Sequence, residues 1–352
     1  MPSLPTTMKA ILLTGHGGLD KLDVRDDYPK PVPGPGEVLI RVGACGINNT
    51  DINTRVGWYA RGVNEDGATW ASDMVFPHIQ GADIAGTISA VGPDIPERRI
   101  GARVVVDPVL RNPEDPMNLD TVGYVGAHCF GGFAEYVLVP EQNALPITSD
   151  LSDAELASFP CSSSTAENML ERAHVADGET VLVTGASGGV GSALVQLAKR
   201  RGAFVIAVTR AAKFDAVKDF GADALIDRAT TDFAADVRAA APNGVIDVAA
   251  DVVGGDGFES LLASVRKGGR YVVSGAIAGP LVSLDLRTLY LRDLDMIGTT
   301  ILLPQVFPNL VGYIQAGEIR PLVAQTYPLD KIAEAQTAFT EKKHVGNIVL
   351  IP

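Results

Sequence analysis

The chain has 352 residues, 46% of them hydrophobic and 20% charged, with a formal net charge of −13 at pH 7. That length and composition provide for two domains with ordinary cores and exclude a disordered chain. The acidic balance argues against a general affinity for nucleic acid or anionic membranes, and no uncharged apolar run approaches the roughly 18 residues of a membrane span.

In chain order, the opening MPSLPTTMKA has neither the apolar core of a signal peptide nor an Arg-rich transit pattern. The three cysteines, Cys45, Cys129 and Cys161, are too few for a disulfide framework, so a cytoplasmic, reduced setting is expected. Residues 8 to 150 read as β-rich. Met8 to Thr14 is a strand ending in His16-Gly17-Gly18, and Pro31 to Gly36 is a turn or linker. Val38 to Gly43 alternates as a half-buried strand, and Gly86 to Val91 and Ala102 to Asp107 are further strand candidates. Glycine-rich turns at this spacing predict a barrel-like domain.

Ser152 followed by Glu155 is a capping box that opens a helix through Ala157. Beyond Ser164, short apolar strands at 181–184, 204–208, 224–227, 245–250 and 271–274 alternate with helical stretches, the pattern of a doubly wound parallel sheet. A helix at about 330–341 and a strand from Asn347 to Ile351 are expected to return to the first domain. The fold class is α/β, with a β-rich domain over 1–155, a Rossmann domain over 156–300, and a return over 301–352.

The most specific signal is VLVTGASGGVGSALVQLAKRRGAFVIAVTR, residues 181–210. A strand runs into the turn Gly185-Ala186-Ser187-Gly188-Gly189-Val190-Gly191. A helix is expected over Ser192–Arg201, and Phe204–Val208 is a second strand. This βαβ unit places a pyrophosphate on a helix N-terminus, with glycines where side chains would obstruct it. Ala186 occupies the first glycine position of the strict G-x-G-x-x-G form, and the strand–helix–strand context is what makes the motif specific. The bland alternative is a tight turn with no ligand.

The end of the second strand bears on the choice of cofactor. NAD sites usually carry an acid there, on the ribose 2′-OH. Here Val208-Thr209-Arg210-Ala211-Ala212-Lys213 has no acid before Asp215. Arg210 and Lys213 are able to pair with a 2′-phosphate and Thr209 to hydrogen-bond it, so NADP(H) is the expected cofactor. Ser274-Gly275 and Asp251 to Gly255, Val253 included, end other strands of the sheet, where open α/β sheets bind ligands.

The motifs PVPGPGEVLIRVGACGINNTD (31–51), GADIAGTISAVG (81–92), GARVVVDPV (101–109), GGFAEYVLVP (131–140), the glycine turn, DVVGG (251–255) and VGNIVL (345–350) resemble the medium-chain dehydrogenase/reductase superfamily from Met8 to Pro352. The resemblance implies a GroES-like catalytic domain, a Rossmann domain and hydride transfer with NAD(P)H. Zinc alcohol dehydrogenases of that superfamily carry a catalytic Cys, the His of a GHE triplet and a later Cys. The corresponding residues here are Asn48, Ala82 and Cys161. A catalytic zinc needs three protein ligands plus an open position. No metal is therefore expected, and Cys161 reads as a relic ligand. A rearranged site drawing on His78, Asp83, His128 or Cys129 is the alternative.

The zinc-free quinone oxidoreductase branch, which includes zeta-crystallin, resembles the chain more closely. Its G-hydrophobic-N-x-x-D pattern is met by Gly46-Ile47-Asn48-Asn49-Thr50-Asp51, and its R-x-G-x-Y by Arg55 to Tyr59. The resemblance assigns Asn48 to the nicotinamide and Tyr59 to the substrate carbonyl. It also places Thr165 and Asn347 near the cofactor. Asp51 completes the catalytic candidates, with a structural reading in which it orients the loop through backbone hydrogen bonds. The expected activity is NADPH-dependent reduction of a quinone or activated double bond in a small molecule. The alternatives are a carbonyl reductase with a rearranged zinc site and a non-catalytic NADPH-binding protein. By analogy a homodimer or homotetramer is expected, with an apolar strand candidate in Pro280–Leu303 pairing across subunits. Segments 60–76 and 108–130 are expected to shape the pocket mouth.

Overall fold

The structure, a computed structural model, describes residues 6–59 and 74–352. Its strands, in chain order, are β1 (Thr7–Leu13), β2 (Leu22–Pro29), β3 (Glu37–Ile47), β4 (Asp83–Val91), β5 (Arg103–Val106), β6 (Val109–Leu110), β7 (Gly123–Tyr124), β8 (Tyr136–Pro140), β9 (Ala144–Pro146), β10 (Thr180–Val183), β11 (Phe204–Thr209), β12 (Ala224–Asp227), β13 (Ile246–Asp251), β14 (Val265–Val273), β15 (Asp295–Gly298), β16 (Val323–Pro328) and β17 (Asn347–Ile351). The helices are α1 (Asn49–Arg55), α2 (Asp153–Leu156), α3 (Pro160–Arg172), α4 (Gly189–Arg200), α5 (Phe214–Asp219), α6 (Phe233–Ala240), α7 (Phe258–Ser264), α8 (Leu286–Tyr290), α9 (Val306–Gln315) and α10 (Ile332–Glu341).

Two units result. One comprises Met1–Cys161, Ile314–Ala316 and Arg320–Pro352; the other comprises Ser162–Tyr313 and Gly317–Ile319. The first division thus falls inside α3 rather than at 155/156. The reason is that α2, opened by the Ser152–Glu155 capping box, packs on β3 and β4 and keeps the following residues with the first unit. The return lies near 314–320 rather than at 301, because α9 belongs almost wholly to the second unit.

In the first unit, a sheet runs in the order β16-β17-β3-β4-β5-β9, with β8 also paired to β3. Buried Ile40, Ile84, Ile88, Val104 and Phe133 fill its core. The C-terminal β17 lies antiparallel to β3, Ile348 opposite Ile47 and Leu350 opposite Cys45. This pairing fixes the end of β3, from which Asn48 and α1 follow directly.

The second unit holds a parallel six-stranded sheet in the order β12-β11-β10-β13-β14-β15. Leu182, Ile206, Ile226, Ala249 and Leu261 form its core. The strand order reverses between β10 and β13, the topological switch point at which doubly wound sheets take ligands. The expected segment Pro280–Leu303 is mostly not strand. Asp285 caps the short helix α8 by accepting from the Arg287 amide, and only Asp295–Gly298 is extended, joining β14 of the same chain at the sheet edge. Among the described residues no helix is long and apolar enough to cross a membrane.

Helix α4 begins at Gly189, three residues before the expected start, with Gly188 as its N-cap and the Ser192 amide donating to the Gly188 carbonyl at 2.9 Å. The low helix propensity of glycine masks this first turn in the sequence. Its glycines serve close packing instead: a Cβ on Gly191 would lie 2.2 Å from the Gly185 carbonyl oxygen. Gly191→Ala is expected to cost about 1–3 kcal/mol through that clash, outweighing a helix-propensity gain of about 1 kcal/mol. A thermal unfolding scan should show a midpoint several degrees lower; an unchanged midpoint would show that the turn has room the structure denies.

Candidate active site

Strand β4 opens with Asp83, directly opposite Gly46 of β3. A Cβ at Gly46 would meet the Ala157 carbonyl at 2.6 Å and the Asp83 Cβ at 2.9 Å, so glycine is what lets the Asp83 side chain lie there. Asp83 is 1% exposed. Its Oδ2 accepts from Asn48 Nδ2 at 2.8 Å, and its Oδ1 accepts from the Cys161 backbone amide. One carboxyl therefore joins the end of β3, the start of β4 and the first turn of α3.

Asp51 lies beside it, also buried. Its Oδ2 accepts from the Asn48 amide at 2.7 Å, its backbone carbonyl accepts from Gln80 Nε2 at 3.0 Å, and the Gly81 backbone also hydrogen-bonds its carboxyl. Burial pushes both acids up from the ordinary 3.8 to about 7. The hydrogen bonds oppose that shift, and repulsion from Asp83 adds to it for Asp51. No cation is among the groups that shift either one.

Two tyrosines flank Cys161. Tyr124, on β7 in the 108–130 segment, is buried and hydrogen-bonds the Cys161 side chain. Tyr59 is half-buried, hydrogen-bonds Asn53 (3.4 Å) and Thr50, and lies near enough to Cys161 and Asp51 to feel both electrostatically. Burial raises both phenols above their ordinary range, so at neutral pH they are hydrogen-bond and proton donors. The structure thus gathers Asn48, Asp51 and Tyr59 into one cluster. Asn347 is placed differently: its side-chain amide donates to the Ser158 carbonyl, which ties β17 to the α2–α3 junction. Residues 60–73 of the expected pocket mouth lie outside the described residues.

In the second unit, the carboxyl ends of β10, β11, β13 and β14 carry the remaining candidates. Gly189, Val190 and Gly191 form the first turn of α4, where amides have no intrahelical acceptor, and no acid lies in that turn. Ser187 and Gly188 precede them, Ser187 half-buried and Gly188 exposed. This cradle fits an anionic pyrophosphate. Arg210 is exposed and Lys213 half-buried, whereas Thr209 is only 3% exposed, so the cations and not the hydroxyl are what this strand end presents to solvent. Thr165 is half-buried on α3.

Asp251 is held by partners within its own unit. Its carboxylate accepts from the Thr184 hydroxyl (2.5 Å), the Tyr271 hydroxyl (2.7 Å) and the amides of Val253 (2.8 Å) and Gly254. With its oxygens so engaged it anchors the turn Val252–Gly255. Ser274 extends the same edge, its amide donating to the Asp251 carbonyl at 3.2 Å, and Gly275 packs against Val252.

Sequence reasoning left out Tyr124, which no spacing marks, and the donors Thr184 and Tyr271. It weighed Asp83 only as a stray ligand, although a single acid in the apolar run GADIAGTI was a visible signal of a buried role.

A family model described as the alcohol dehydrogenase GroES-like domain matches residues 34–149, and one described as zinc-binding dehydrogenase matches 189–316. The acryloyl-coenzyme A reductase of Sulfurisphaera tokodaii is 30% identical, over 98% of this chain and 100% of its own length. A crystal structure of a candidate alcohol dehydrogenase from Sinorhizobium meliloti superimposes with a TM-score of 0.95 at 49% identity, covering 100% of this chain and 98% of that one. A cobalt- and zinc-bound thermostable alcohol dehydrogenase from Pyrobaculum aerophilum gives 0.83 at 32% identity, covering 98% and 99%.

The raised carboxyls set a direction for stability. Folded Asp51 and Asp83 hold protons that the unfolded chain has already released, so stability falls as pH rises from about 4 to about 7 and then levels. In Asp83→Asn the Asn48 amide is free to flip and restore its bond, and the fall should be shallower. Urea midpoints across that range check this; equal slopes for wild type and variant would show that Asp83 does not hold the proton.

Proposed function

We propose a function for a chain that belongs to the medium-chain dehydrogenase/reductase superfamily, an oxidoreductase family: it is an NADPH-dependent reductase that works without zinc and delivers hydride to a quinone or to a double bond conjugated with a carbonyl. The observation that carries this reading is the 2.8 Å hydrogen bond from Asn48 to Asp83. Where zinc relatives carry a thiolate, Asn48 turns its amide nitrogen to a carboxylate. Where they carry an imidazole, Ala82 offers no donor atom. Cys161 alone remains, already hydrogen-bonded to Tyr124. That donor set does not fit a zinc that needs three protein ligands. The similarity to a reductase named for acryloyl-coenzyme A supports a conjugated acceptor.

A bound nicotinamide cofactor supplies the hydride, and the chain's residues orient and protonate. The amides of Gly189, Val190 and Gly191 hold the pyrophosphate, and Arg210 with Lys213 holds a ribose phosphate. Tyr59 donates its hydroxyl to the acceptor's oxygen as negative charge develops there, and supplies the proton. Asn48, fixed on Asp83, shapes the wall beside the acceptor. Asp51 is a positioning residue, holding the loop that carries both. Tyr59→Phe should lower kcat/KM by about a hundredfold with NADPH binding intact. The purified protein should carry no stoichiometric metal and keep its activity in chelator. One zinc per chain, lost together with activity, would overturn this reading in favour of a metal-dependent alcohol dehydrogenase.

The second unit also presents Ile277, Leu281, Leu286, Tyr290 and Leu291 to solvent, Leu281 at 88% exposure, in the stretch of chain that precedes the edge strand β15. Exposed apolar side chains in the stretch leading to an open strand edge are suited to docking against a second copy. Light scattering should give a dimer or higher oligomer that Leu281→Glu with Leu291→Glu reduces to monomers; a monomeric wild type would refute the assignment.

A further inference from the structure

We infer that Arg228, on the strand next to the one carrying Arg210, is a third cation of the site for the cofactor's ribose phosphate and sets the preference for NADP(H) over NAD(H). The inference rests on the cofactor reading above and adds a residue to it. Strands β11 and β12 are parallel with Thr209 opposite Asp227, so the residues that leave them, Arg210 and Arg228, emerge side by side. The Arg228 amide donates to the Thr209 carbonyl at 2.8 Å, extending the ladder one step past the strands and fixing that juxtaposition. A tight turn then brings Lys213 back, its amide donating to the Arg210 carbonyl at 2.9 Å.

The three side chains share one neighbourhood. The Lys213 ammonium is held below its ordinary range by burial first, then by the charges of Arg210 and Arg228. Both arginines are exposed, and neither forms a side-chain hydrogen bond or ion pair among the described residues. The carboxylate nearest in sequence, Asp227, turns back to the Ala229 amide at 3.1 Å. Three gathered cations in a chain of net charge −13 repel one another, and an anion between them relieves that repulsion. A phosphate monoester suits the site, because it accepts from planar guanidinium forks as well as from an ammonium.

Calorimetric titration of the unliganded protein with 2′,5′-ADP and with 5′-AMP tests this without any turnover. Wild type should prefer 2′,5′-ADP. Arg228→Ala should weaken that ligand about tenfold or more, as loss of a charge-assisted contact does, and leave 5′-AMP within about twofold. Arg228→Lys should keep part of the preference, and an unchanged unfolding midpoint shows that the fold is intact. If Arg210→Ala weakens 2′,5′-ADP and Arg228→Ala does not, Arg228 is excluded while the NADP(H) reading stands. If wild type binds the two ligands alike, the NADP(H) reading itself fails and this inference goes with it.

Discussion

Asp83 accepts from a side-chain amide at the end of β3 and from a backbone amide in the first turn of α3, and it does so almost wholly out of water, with no cation among the described residues that shift it. A buried carboxylate is costly, and a second one next to it more so, because the two repel. The arrangement is tolerable because the Asn48 side chain and the backbone of Asn48, Gly81 and Cys161 hydrogen-bond the pair and because the pair can hold a proton. Asn48, Asp51 and Cys161 take their positions from that constraint. So does Gly46, where any side chain would push Asp83 out of place.

The second unit solves a similar problem with more donors. Asp251 is as deeply buried, yet two hydroxyls and two backbone amides converge on it. The result is a rigid end to β13 rather than a chemically adjustable pair. The contrast separates two uses of a buried acid. Asp251 is saturated with donors and serves as an anchor. Asp83 has few donors and an acidic neighbour, and stays responsive to proton concentration.

Much of the architecture was legible in the sequence because period and punctuation agree with tertiary demand. The strand at 224–227 and the final strand at 347–351 have the expected bounds, and the Ser152–Glu155 box is formed as written. The helix after the glycine turn was misjudged at its start, because glycine propensity speaks against a first turn that close packing requires. The stretch 280–303 does contain an extended segment, Asp295–Gly298, but it pairs with β14 of the same chain, and the Asp285 cap makes an earlier part of the stretch helical. Residues 48, 51 and 59 stand out through motif resemblance. Tyr124, Thr184 and Tyr271 do not, since their roles arise from contacts between segments far apart in the chain that no local pattern records. Arg228 sits between these cases: its charge is plain in the sequence, but its neighbour across the sheet is a matter of strand register.

The exposed arginines at the ends of β11 and β12 have a kinetic consequence. Under the cofactor reading proposed above, an anionic nucleotide at a distance meets a molecule of strongly negative net charge, and only close to the strand ends does it meet a positive island. At about 0.1 M ionic strength screening acts beyond roughly 10 Å, so salt mutes the long-range repulsion more than the close attraction. Rising salt therefore eases encounter while it shortens residence. Arrival and departure of the cofactor both quicken, and the equilibrium affinity alone would conceal how far each has moved.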